Sequence, residues 1–115
     1  MPSAQVTITG LKQYLPSGQD TLGPLIIFNP SSAPGDAAVA LVTGNNTILV
    51  PSSTLVSCVI IPPTTNTTAI TAKGASGDTG LPLNPGNPTL YSFPPGTASF
   101  ILNAAAGVNV ELWWF

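Results

Sequence analysis

Apolar and polar residues alternate with a period of two in short segments along this chain, and turn-forming residues separate the segments. In residues 5–11, Val6 and Ile8 point to one side and Thr7 and Thr9 to the other, as successive residues of a strand must. Further strands are expected over 22–28, 37–43, 47–50, 55–61, 67–73 and 98–102, at 108–114, and as short extended pieces at 81–83 and 90–93. The run Leu55-Val56-Ser57-Cys58-Val59-Ile60-Ile61 is apolar on both faces, which predicts a central strand. Gly44-Asn45-Asn46 reads as a hairpin turn, because Gly and Asn tolerate positive φ, and Ala104-Ala105-Ala106-Gly107 reads as the turn of a closing hairpin.

No window carries apolar residues at helical spacing. The 13 prolines and 11 glycines are spread along the chain rather than gathered in a linker. The prediction is an all-β fold: a two-sheet antiparallel sandwich, jelly-roll-like, of eight or nine short strands, forming one domain over residues 1–115. A chain of this length suffices for a single core.

Charge changes the picture most. Charged residues make up 5% of the chain against about 25% in an average domain. They are Lys12, Lys73, Asp20, Asp36, Asp78 and Glu111. Disorder does not follow, because disordered chains combine low hydrophobicity with high charge, whereas here 43% of residues are hydrophobic. Two distant lysines cannot replace counterions along a phosphate backbone, so nucleic acid is excluded as a partner, and anionic membranes with it. No uninterrupted apolar run is long enough to span a bilayer. A neutral surface of Ser, Thr and Asn offers little repulsion between copies, which favours a protein that works assembled. The segment from Met1 to Thr7 carries no basic stretch followed by an apolar block, so no secretory signal is read there.

The chain has no His. That removes the Ser-His-Asp triad, the Cys-His pair and imidazole ligands. Cys58 stands alone in an apolar run and is expected to be a buried hydrophobe. Asp20, Asp36 and Asp78 each follow a Gly-containing tripeptide context that reads as a turn, where Asp bonds nearby backbone N–H groups. No catalytic residue, cofactor or metal ligand is therefore expected, and the chain reads as a non-enzyme.

Two features remain. In Val108-Asn109-Val110-Glu111-Leu112-Trp113-Trp114-Phe115, adjacent tryptophans cannot share a face: with Val110, Leu112 and Trp114 inward, Trp113 and Glu111 point out. An outward Trp is covered by its own chain, anchors a protein interface or stacks on a sugar. Lys73-Gly74-Ala75-Ser76-Gly77-Asp78-Thr79-Gly80 predicts a tight loop at a strand end, without the spacing of a phosphate-binding loop. Trp113 and Phe115 are the candidate interface residues, with Lys73 and Asp78 as a second contact.

That loop, the following Leu81-Pro82-Leu83-Asn84-Pro85 and Asn87-Pro88-Thr89-Leu90, and the closing strands resemble small β-sandwich virion proteins of tailed bacteriophages, of the head cement or decoration type. The likeness covers the C-terminal half and is one of composition and layout. It implies a capsid decoration protein made in the host cytoplasm and located in the virion. Its partners would be the major capsid protein or other virion subunits, with homo-oligomers such as trimers. A carbohydrate- or receptor-binding module of a tail fibre or secreted protein is the alternative.

Overall fold

In a computed structural model of the chain, residues 35–51 and 56–115 are described in full, and residues 6–8, 11–14, 18–22 and 26–28 as backbone strands. Every described element is a strand. Four short strands open the chain: β1 (Val6–Ile8), β2 (Leu11–Tyr14), β3 (Gly18–Leu22) and β4 (Ile26–Phe28). They pair in nested antiparallel fashion, β2 with β3 and β1 with β4. The other parts of the strands expected over 5–11 and 22–28, residues 5, 9–10 and 23–25, lie outside the described residues.

Eight strands follow: β5 (Gly35–Leu41), β6 (Gly44–Leu49), β7 (Val56–Ile61), β8 (Ile70–Lys73), β9 (Leu81–Pro82), β10 (Thr89–Phe93), β11 (Ser99–Ala104) and β12 (Val108–Trp114). They form two four-stranded sheets, in the orders β10-β7-β12-β5 and β6-β11-β8-β9. Every pairing in both sheets is antiparallel.

The order is that of a jelly roll. The first of the eight strands pairs with the last (β5 with β12), the second with the seventh (β6 with β11), the third with the sixth (β7 with β10) and the two middle strands with each other (β8 with β9). The chain is thus one long antiparallel ribbon whose tip is the turn between β8 and β9. Rolling that ribbon adds the contacts β7–β12 and β8–β11, which complete the sheets.

Where the ribbon passes from one sheet to the other, its two strands cross side by side, and hydrogen bonds tie each pair of crossings. The Asn46 amide donates to the carbonyls of Val42 (2.9 Å), Gly44 (3.0 Å) and, across the ribbon, Leu102 (3.1 Å), and its oxygen accepts the Val42 N–H (3.0 Å). At the next crossing the Val50 N–H donates to the Ala98 carbonyl at 2.9 Å. At the third, the Asn66 amide donates to the Thr68 carbonyl at 3.0 Å and the Pro85 carbonyl at 2.8 Å.

This arrangement corrects two expectations. Gly44 does take positive φ (99°), yet the chain reversal there joins β5 of one sheet to β6 of the other, which do not pair. The closing β11 and β12 likewise belong to different sheets, so residues 105–107 form a corner and not a hairpin turn. Turn chemistry reverses the chain in both cases, but burial of the inward faces draws the following strand onto the opposite sheet. The central position of β7 is as expected, between β10 and β12.

The core lies between the sheets. Leu41, Val56, Cys58, Ile60, Val110, Leu112 and Trp114 of one sheet meet Ile48, Ile70, Phe100, Leu102 and Ala104 of the other. Phe93, Phe100 and Trp114 form an aromatic cluster, with ring centroids 5.0 Å (Phe93–Phe100), 6.1 Å (Phe93–Trp114) and 6.3 Å (Phe100–Trp114) apart. Each such contact adds about 0.5–1.5 kcal/mol beyond its buried area.

Candidate protein interface

β12 shows the alternation expected of it. Val110, Leu112 and Trp114 are buried, and Asn109, Glu111 and Trp113 are exposed. The outward residues stand at the centre of a four-stranded sheet. Across it runs a row of directly paired residues: Leu90 on β10, Val59 on β7, Trp113 on β12 and Asp36 on β5. The next row holds Ile61, Glu111 and Ala38.

Trp113 is 47% exposed, and its Nε1–H donates to Glu111 Oε2 at 3.2 Å. Two shallow depressions flank Glu111. One, of about 320 Å³, is lined by Asp36, Ala37, Ala38, Glu111 and Trp113. The other, of about 430 Å³, lies over Ala38, Ile61, Pro62, Pro63 and Asn109. The small alanines of β5 leave the room, and the carboxylates of Asp36 and Glu111 give the first depression an acidic wall beside an indole ring. Among the lining residues of both depressions there is no cation.

The four candidate residues do not come together. Phe115 does not join the Trp113 face: it is 3% exposed, and its backbone is zipped to Ser57, its N–H donating to the Ser57 carbonyl (3.0 Å) and its carbonyl accepting the Ser57 N–H (2.7 Å). A side chain with so little free surface offers none to a partner, which corrects the expectation for Phe115. Lys73 and Asp78 flank the β8–β9 loop at the tip of the ribbon, in the other sheet from Trp113. There Asp78 accepts the Ala75 N–H at 2.8 Å and its own N–H donates to the Ala75 carbonyl at 3.1 Å, so the expected turn role holds. Gly80 closes the loop with φ of 78°, and a Cβ there would lie 2.5 Å from the Ala72 carbonyl oxygen. The Asn45 amide donates to the Ser76 carbonyl at 3.4 Å, tying the loop to β6.

Asp36 is a residue that local reading misplaced. It sits within β5, opposite Trp113, and not in a turn; Asp20 is likewise inside a strand, β3. Pro34-Gly35 resembles turn chemistry, but seven consecutive pairs with β12 hold the backbone extended. A second feature absent from the sequence reading is an apolar cleft of about 540 Å³ beside β10, to which Leu81, Tyr91, Phe93 and Phe100 contribute, with Lys73 and Asp78 also in its wall.

Cys58 is fully buried, and burial pushes its thiol from 9.0 up to about 12. It is held as an inert core residue. Among the described residues no group of three or more Cys, Asp or Glu side chains gathers as a metal-binding set.

No family model matches the chain, and neither a curated protein nor a solved structure matches it. The likeness to phage virion proteins therefore stands on the residues quoted for it.

Proposed function

We propose that this chain is a non-catalytic structural subunit of a virus particle, a capsid cement or decoration protein. It binds shell subunits through the outer face of β5, β12 and β7. The observation that carries the proposal is Trp113, half exposed at the middle of a sheet face and lining one depression, with a second on the far side of Glu111, both able to receive a partner's side chains. Aromatic anchors beside pockets are where interfaces concentrate their energy, with single truncations costing about 2–4 kcal/mol. The jelly roll adds support, since shell proteins of many viruses use it, although lectins do too and a fold alone does not name a function.

The partner's complementary surface carries a Lys or Arg. Asp36, Glu111 and the Trp113 ring enclose the first depression, and a cation seated there meets carboxylates and an indole face together. Action is then passive: apolar area buried across subunit contacts, at about 25 cal/mol per Å², makes rupture of the shell costlier.

A second reading draws on the same ring. Trp113 beside two carboxylates also suits a saccharide, which stacks on an indole and donates hydroxyl hydrogen bonds to acidic oxygens. Counting copies of this chain in particles purified from its source, by quantitative mass spectrometry against the most abundant shell protein, separates the two. A simple whole-number ratio to the shell protein supports the cement reading. A handful of copies per particle supports the receptor-binding reading, and absence from particles removes the virion role altogether.

A further inference from the structure

β10 ends its sheet. It pairs with β7 through five consecutive residues, Thr89 to Phe93, and among the described residues no strand lies on its other side. Nothing in Thr89-Leu90-Tyr91-Ser92-Phe93 protects that free edge: the strand has no charge, no proline and no register shift. The facing edge, β9, is different, because it is two residues long and ends in Pro82.

Between these edges lies the apolar cleft of about 540 Å³. Its volume falls within the about 300–1,000 Å³ usual for binding sites. Tyr91 and Phe93, whose register partners on β7 are the buried Cys58 and Val56, form one wall. Leu81 forms the other. Its register partner is Ala72, which packs on the core, so Leu81 stands at an inward position of its strand, yet it is 66% exposed. A leucine at a core-facing position that stays mostly exposed marks, among the described residues, a core left open at this edge.

We infer that the cleft receives an extended segment of a partner chain, apolar at alternate positions, which pairs with β10 as a fifth strand. Two independent features select that occupant. A free strand edge presents donors and acceptors at the two-residue spacing that only an extended backbone matches. The cleft beneath takes the side chains that such a strand directs to one face, while its other side chains face solvent. Pro88 and Pro94 bound β10, so the paired stretch is about five residues, or about 17 Å. The site is on a different part of the fold from Trp113, and the inference holds whether or not the chain belongs to a virion.

The test uses a synthetic peptide based on residues 56–61, carrying Cys58→Val, Val59→Thr and Ile61→Thr so that only alternate positions are apolar, and flanked by two lysines at each end for solubility. In the fold this segment already pairs with β10, with Val56, Cys58 and Ile60 opposite Phe93, Tyr91 and Thr89, so it suits the free edge of the same strand. Amide exchange of the intact protein is followed by NMR as the peptide is added. Those β10 amides that exchange freely in the protein alone should gain at least tenfold protection, saturably. Leu81→Asp, at an exposed position that the fold can lose, should weaken binding at least tenfold. A peptide of the same composition with its apolar residues grouped together should not bind. No protection of β10 at about 1 mM peptide, or protection indifferent to Leu81→Asp, would overturn the inference.

Discussion

Two adjacent tryptophans make opposite demands, and replacing each by alanine separates them. Trp114 is 7% exposed and packs against Phe93 and Phe100; Trp113 is 47% exposed on the other face of the same strand. A Trp side chain presents about 200 Å² for burial, and at about 25 cal/mol per Å² nearly complete burial of Trp114 is worth about 5 kcal/mol. Alanine keeps a small part of it, while the cavity left among three rings adds a cost, so Trp114→Ala should destabilise by about 3–5 kcal/mol. Trp113 buries about half as much, and its hydrogen bond to Glu111 is at the surface, so Trp113→Ala should cost about 1–2 kcal/mol. Urea unfolding followed by circular dichroism reads the difference. With a slope of about 2 kcal/mol per M, Trp114→Ala should lower the midpoint by about 2 M and Trp113→Ala by well under 1 M. Equal losses, or a larger loss for Trp113→Ala, would refute the assignment of inward and outward faces on β12.

Three other variants probe the roll. Asn46→Ala removes the amide that ties the first crossing to Leu102, and thermal melting should show a loss of about 2–3 kcal/mol, with Asn46→Asp partly recovering as pH falls from neutral towards about 4, since three facing carbonyls raise the carboxyl above its unfolded value and hold it only when protonated. Gly80→Ala should cost more than Gly96→Ala by at least about 1 kcal/mol in urea titrations: both positions have positive φ, but only the Gly80 Cβ would strike backbone. Cys58 should resist thiol reagents near pH 8 until the chain unfolds. Its raised thiol means the folded state keeps a proton that the unfolded state releases, so stability is full below pH 9 and declines as pH rises from 9.0 towards about 12, a slope that Cys58→Val should abolish.

How much of this was legible beforehand depended on the range of the forces involved. β12 was readable in full, because alternation is a property of neighbouring residues and burial of Val110, Leu112 and Trp114 follows it. The interior place of β7 followed from an apolar run on both faces. The corners were not readable. Gly44-Asn45-Asn46 reports a turn, but whether β6 returns alongside β5 or crosses to the other sheet depends on which inward faces bury together, an arrangement that brings Asn46 to Leu102, 56 residues away. Asp36 was misread for a related reason, since its extended backbone comes from pairing with Trp113 and not from its own neighbours. Of the interface candidates, the outward position of Trp113 was legible from strand parity alone. Phe115 was not separable from it, because the pairing of its backbone with Ser57 is a long-range event. The cleft beside β10 required the register of β8 with β9, which no local pattern encodes.

The central claim is that the Trp113 face holds this chain to a shell. The most direct measurement is the occupancy of purified Trp113→Ala protein on particles lacking the native chain, beside wild type and Trp113→Phe. Loss of an anchor worth about 2–4 kcal/mol predicts at least tenfold weaker binding for Trp113→Ala, partly restored by Trp113→Phe, with the fold intact by circular dichroism. Occupancy by Trp113→Ala equal to that of wild type would contradict the claim.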